Sequence, residues 1–115
     1  MSRDPRVYLE DVLESIRRID TYVTGLDQET LAADELRLDA VVRNLEVIGE
    51  AVKQLPEEMI RQEPHIEWRK IAGLRDILIH HYFGIDVGII WDVVQNKLPD
   101  LERQIRTIRE GLDDG

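Results

Sequence analysis

The sequence contains no cysteine, which excludes disulfides, thiol catalysis and cysteine-ligated zinc and fits a cytoplasmic protein. No apolar run approaches the ~20 residues that a membrane-spanning helix needs. The opening stretch MSRDPRVYLED has no secretory pattern. Strand-like alternation and hairpin signals are missing throughout. So are a phosphate-cradling glycine loop of the Walker or Rossmann type and a nucleophile elbow. His65 with Glu63 and Glu67 comes nearest to a metal site, and without further ligands that spacing reads as a surface loop. The chemistry left is one that uses neither a metal nor a cofactor.

What is present is a chain of 115 residues, 43% apolar and 34% charged. That is room for one domain burying roughly two-thirds of its unfolded surface, with the composition of a folded helical protein. The expected fold is all-α: one bundle of four or five helices over residues 1–115, antiparallel where loops are short. Short flexible ends are expected at about 1–4 and 112–115, with no repeats and no interdomain linker. Acidic residues outnumber basic ones 24 to 15, for a net charge of -9. Phosphate binding usually rests on a basic surface, so an RNA ligand would need a local cluster, for which Arg37, Arg43, Arg69, Lys70 and Arg75 are the candidates. Otherwise the acidity keeps the protein soluble or faces a basic partner.

Asp4 as N-cap and Pro5 at the first helical position open a helix. Val12, Ile16, Ile19 and Val23, with Tyr8 or Leu9 before them, form its buried stripe, and Gly25 stops it. Arg17 and Arg18 fall on its solvated flank. Asp27 caps a short segment through Ala33. A long helix then runs from about Asp34 to Gln54, with Leu38, Val41, Leu45, Ile48, Val52 and Leu55 as a packing seam. Gly49 beside the seam costs about 1 kcal/mol of helix propensity relative to Ala, which a close helix crossing would explain. Arg43, Asn44, Glu46, Glu50 and Lys53 lie on the opposite side, as an exposed charged face. Pro56 breaks the helix, and PEEMIRQEP forms a short turn of helix before Trp68 packs at the next helix start. Asp86 caps a later helix with Ile89, Ile90, Val93 and Val94 on one face. Asn96 to Pro99 suggests a kink or brief break, after which Leu101, Ile105, Ile108 and Leu112 continue at helical spacing.

The stretch Gly73 to Asp86, GLRDILIHHYFGID, crowds reactive side chains where a helix runs out. Ile71, Leu74, Ile77 and Leu78 are expected to face the core. At about 100° per residue, Arg75 and Tyr82 project in nearly the same direction, while His80 points roughly 140° from Arg75. One straight helix therefore does not assemble Arg75 and His80. Either the helix is distorted or ends near Ile79, or a second copy of the chain completes the site, as in a symmetric dimer. The plain alternative is a solvated face and a cationic helix terminus that complements the dipole.

Arg75, four residues, His80, one residue and Tyr82 together resemble the R-x-x-x-x-H-x-Y signature of the HEPN superfamily, and the surrounding text resembles its HepT-type toxin branch. RNLEVIGEAVKQLPEE (Arg43 to Glu58), the run Pro64 to Arg69, and WDVVQNKLPDLERQI (Trp91 to Ile105) carry the likeness, which spans about Ala40 to Ile105. It implies a homodimeric HEPN-type bundle acting as a metal-independent endoribonuclease toxin on RNA, either tRNA or mRNA. Arg75 and His80 would be its catalytic residues, while His81 holds the variable position of the motif. Asn44, Glu46 and Glu50 become candidates for lining the cleft near Arg75. The resemblance also implies a toxin–antitoxin pair of type VII kind, in which a minimal nucleotidyltransferase antitoxin of the MntA type transfers AMP to Tyr82.

One departure stands beside Arg75. Many HEPN ribonucleases carry a polar residue, often Asn, directly after the motif Arg, and this chain has Asp76. The carboxylate would oppose RNA or orient Arg75 or His80 through a hydrogen bond. The alternative function is a non-catalytic companion of a nucleotidyltransferase, in which Arg75 and Tyr82 hold the phosphate and base of a nucleotide.

Overall fold

The computed structural model describes residues 4–80 and 84–114, the side chain of residue 114 excepted, and every helix follows from a local signal. Helix α1 (Pro5–Val23) starts where the Asp4 side chain accepts from the Arg6 N–H with Pro5 in the first turn. It stops at Gly25, whose φ of 81° only glycine adopts without strain. Helix α2 (Gln28–Ala33) opens on a capping box, Asp27 accepting from the Thr30 N–H while the Thr30 side chain accepts from the Asp27 N–H. Asp34 caps α3 (Glu35–Lys53) through the Arg37 N–H. Helix α4 (Glu57–Arg61) is the short turn after Pro56, and α5 spans Trp68–His80. Asp86 caps α6 (Val87–Asp92), which runs through a π-helical turn (Val93–Lys97) into α7 (Leu98–Asp114). Among the described residues there is no strand, and no helix is long and apolar enough to cross a membrane.

The bundle is built on α3. Val41, Leu45, Ile48, Val52 and Leu55 of the expected seam are buried, Leu38 partly so, where α3 packs on α1 with its Leu9, Val12, Ile16 and Ile19, and α7 packs on α1 in turn, adding Leu101, Ile105 and Ile108 to the same core. The first and last long helices run antiparallel: Arg6 pairs with Asp113 at 3.7 Å and Arg109 with Glu10 at 2.8 Å. Helices α3 and α5 are also antiparallel, Gly49 lying against Ile71 and Arg75 while Val42 shares a depression with Leu78. Trp68 is buried at the start of α5, its Nε1–H donating to the Glu63 carbonyl at 2.9 Å.

Four expectations are corrected. Ile77 does not face the core; it is 53% exposed, because α5 turns it toward an open groove. Ile89, expected on the buried face of α6, is 60% exposed, and Ile90 and Val94 are the residues that reach inward. Asn44 is not on an exposed face. It is buried and donates to the Ala40 carbonyl of its own helix at 2.8 Å, satisfying a side chain that would be costly left unpaired. Of the kink or brief break expected at Asn96 to Pro99, the break is absent and a π-helical turn lies there. The Leu98 N–H reaches back to the Val93 carbonyl, and this wide turn carries the helix past Pro99, which has no N–H to donate.

Candidate active site

Gly49 sets the geometry from which the site is built. A Cβ there would lie 3.0 Å from the Arg75 Cβ, 3.1 Å from the Arg75 nitrogen and 3.1 Å from the Ile71 carbonyl oxygen. The close crossing expected from the sequence is present, and its partner is the helix turn that carries Arg75. One residue on, Glu50 reaches across the crossing and forms an ion pair with Arg75, Oε2 lying 2.9 Å from Nε. The Arg75 Nη1 donates to Asp76 Oδ1 at 3.1 Å. Gln54, a turn further along α3, donates to the other Glu50 oxygen at 3.4 Å.

These groups border a cleft of about 540 Å³ between α1, α3 and α5. Arg75, Ile79 and Arg43 line it together with Glu46, Glu50 and Gln54, and α1 contributes Tyr8 and Asp11. A shallower depression of about 400 Å³ shares Arg43, Glu46 and Ile79 and extends the cleft toward Asp39, Val42 and Leu78. Glu46 is largely covered and lies 3.9 Å from the Arg43 guanidinium. Charged lining residues are Asp11, Glu46 and Glu50 against Arg43 and Arg75, an acidic excess. The cleft is therefore not a general polyanion surface; anion binding there has to come from two directed guanidinium groups.

The expected site residues divide accordingly. Glu46, Glu50 and Arg75 meet at the cleft, Asp76 touches Arg75 from outside its lining, and Asn44 is turned into its own helix. His80 is exposed, beyond the cleft lining. Helix α5 is α-helical as far as His80, and His80 does not join Arg75 in the cleft lining. His81 and Tyr82 lie outside the described residues. The proposed basic cluster also divides: Arg37 is held by Asp34 at 2.6 Å, and Arg69 with Lys70 lines other grooves. Only Arg43 of the other candidates joins Arg75 at the cleft.

Sequence reasoning missed Tyr8 and Asp11. The available signal was their spacing, three residues apart on α1, which places two polar groups along the flank of the Leu9–Val12 stripe. Among the described residues no group of three or more potential metal ligands converges. Lys70 hydrogen-bonds Glu67 at 2.6 Å and holds that carboxyl below its ordinary range.

The fold and site together are those of a small all-helical bundle with an arginine held at a helix crossing in an acidic cleft and a histidine five residues beyond it on the same helix. The chain belongs to the ribonuclease HepT-like family, whose model matches residues 12–108. It is 43% identical to a “Putative RNase” of Methanocaldococcus jannaschii over 111 residues, covering 96% of this chain and 92% of that one. It is 39% identical to a “Probable ribonuclease HepT” of Thermococcus cleftensis over 110 residues, covering 96% of this chain and 100% of that one. A further M. jannaschii relative, named “Gamma-glutamylcyclotransferase and putative RNase”, is 42% identical over 113 residues. The match takes in 98% of this chain but spans only about half of that protein (51%). No solved structure matches the chain.

Proposed function

We propose that the chain is a metal-independent endoribonuclease toxin, active in the cytoplasm as a homodimer on tRNA or mRNA. The observation that carries this reading is the separation of Arg75 from His80: the arginine is built into the cleft and the histidine, on the same unbroken helix, points elsewhere. A second copy with its own α5 set against the first supplies the missing histidine under two-fold symmetry. Arg75 then holds the non-bridging oxygens of the scissile phosphate as negative charge gathers on them. One His80 takes the proton of the ribose 2′-hydroxyl as that oxygen attacks phosphorus. The other His80 gives a proton to the departing 5′-oxygen, leaving a 2′,3′-cyclic phosphate and a 5′-hydroxyl. An imidazole can perform both transfers, accepting a proton in one and donating it in the other.

Control of this activity rests on Tyr82. A minimal nucleotidyltransferase antitoxin of the MntA type transfers AMP to its hydroxyl, adding bulk and negative charge that oppose RNA. Mass spectrometry after co-expression of the two proteins tests this step: a neutralised toxin with an unmodified Tyr82 would sink it.

The acidic balance of the cleft favours a second reading, in which the chain is a non-catalytic, nucleotide-binding companion subunit of a nucleotidyltransferase. One nucleotide phosphate needs only the two guanidinium groups, whereas a polynucleotide meets Asp11, Glu46 and Glu50 as well. Growth of a host expressing this chain alone, beside the His80→Ala variant at matched protein level, separates the readings. Arrest by wild type and not by the variant is the result expected of a ribonuclease toxin. If both folded proteins leave growth unaffected, the companion reading takes its place.

A further inference from the structure

We infer that Glu50 is a positioning residue for the reaction, fixing the Arg75 guanidinium so that its Nη end meets the scissile phosphate; this rests on the reading that Arg75 binds that phosphate. Four features of the structure combine to make this role. Gly49 brings the backbones of α3 and α5 to a separation at which a Cβ would already meet Arg75 backbone and side-chain atoms at 3.0–3.1 Å. The next residue, Glu50, pairs with Arg75 across this crossing, its Oε2 lying 2.9 Å from Nε. Its Oε1 is in turn taken by Gln54, another lining residue of the same cleft.

A guanidinium is a rigid planar fork, so a carboxylate paired with it at the Nε side confines where both Nη groups can lie. Asp76 holds only Nη1, and it does so from the neighbouring position of the same helix, with its side chain 63% exposed. Glu50 acts from a different helix that is anchored in the core, so it ties the orientation of Arg75 to the rigid part of the fold. The pair's value is not in stability. At 37% and 48% side-chain exposure it is a surface ion pair, and such pairs contribute little. A carboxylate in an already acidic cleft works against RNA binding unless it is needed for something else, and the fork geometry supplies that need.

The test compares Glu50→Ala and Glu50→Gln with wild type and Arg75→Ala, using total cellular RNA as substrate under single-turnover conditions. The Gln side chain keeps an oxygen for Nε–H and removes the charge. Glu50→Ala should lower the plateau cleavage rate about 10- to 100-fold, the scale expected when a catalytic group is misplaced by about an ångström. Glu50→Gln should restore the rate close to wild type and lower the half-saturating protein concentration, since one opposing charge has gone. A second measurement does not depend on activity: the Arg75 Nε–Hε signal in proton–nitrogen NMR spectra. It should be shifted and slow to exchange in wild type and Glu50→Gln, and should move to the free-arginine position in Glu50→Ala. A wild-type signal already at the free-arginine position, or an unchanged plateau rate in a folded Glu50→Ala protein, overturns the proposal. If Arg75→Ala cleaves RNA as fast as wild type, the ribonuclease role of Arg75 fails instead, and the NMR signal still decides whether Glu50 orients it.

Discussion

Helices α1 and α5 both pack on α3, yet they are used differently. Seven of the nineteen residues of α1 are buried, in a continuous stripe from Leu9 to Val23. Of the thirteen in α5 only Trp68 and Leu78 are buried, and Ile77 and Ile79 remain exposed. Helix α1 is closed over by α7 on its other side, whereas α5 has open grooves on both flanks. The difference teaches where stability and chemistry are kept. The seam of α1, α3 and α7 holds the fold, and α5 is clamped to it by Gly49 and two buried residues while its reactive side chains face solvent.

The comparison is broken most severely from the core side. Leu45 is fully buried, and Leu45→Ala should lower unfolding free energy by about 2–5 kcal/mol, readable from chemical denaturation. Arg75→Ala should do the reverse. Removing a half-exposed surface side chain leaves stability within about 0.5 kcal/mol. If its guanidinium carries transition-state charge, RNA cleavage should fall by about 100- to 1,000-fold. A large loss of stability in Arg75→Ala would mean that α5 is part of the core after all.

Gly49 is the one position where the two regions cannot be separated. Gly49→Ala gains up to about 1 kcal/mol of helix propensity. The new methyl, however, meets the backbone of α5 at Arg75 and Ile71, and overpacking of that kind costs about 1–3 kcal/mol. The expected result is a modest net destabilisation together with slower cleavage, because the helix that must move is the one carrying Arg75. Increased stability with unchanged cleavage would show that the crossing yields without cost.

How much of this was legible in the sequence follows from the same contrast. The seam of α3 could be read because its three- and four-residue steps repeat over five turns, and only a buried stripe sustains such spacing. The caps at Asp4, Asp27 and Asp86 could be read because a carboxylate before a helical run has a specific backbone partner. Ile77 and Ile89 could not. A single apolar residue shows which face it shares but not whether another helix exists to cover that face. Asn44 was opaque for a related reason: an amide that bonds its own helix looks in sequence like one that faces water. At the site, Arg75 and its angular separation from His80 were visible, and the glycine crossing pointed to a close partner. That this partner was the Arg75 turn, with Tyr8 and Asp11 completing the cleft from a distant helix, depends on tertiary register that no local spacing encodes.

The open flank of α5 gives a smaller test. Replacing Ile77, 53% exposed, with Ser should change unfolding free energy by no more than about 0.5 kcal/mol. In light scattering the same variant should shift toward monomer mass, because in the proposed dimer a second copy sits against α5. An unchanged mass would place the subunit contact on another surface.

The smallest expected effect lies on α1 and concerns charge alone. Hydrogen bonding from Arg17, then from Arg18, holds the Glu14 carboxyl down at about 2 against an ordinary value of 4.5. A group whose folded value is depressed contributes stability above its unfolded value, and that contribution is lost as pH falls through the folded one. For Glu14 the window is therefore between about 4.5 and about 2. Glu14 is fully exposed to solvent on this helix flank, so salt screens the interaction and the contribution is slight. Glu14→Gln should melt slightly below wild type at pH 7 in low salt, and the gap should narrow as pH falls toward 2 and close at 1 M salt. A gap as wide at pH 2 as at pH 7 would assign the loss to side-chain packing on α1, and the charge would then have no part in it.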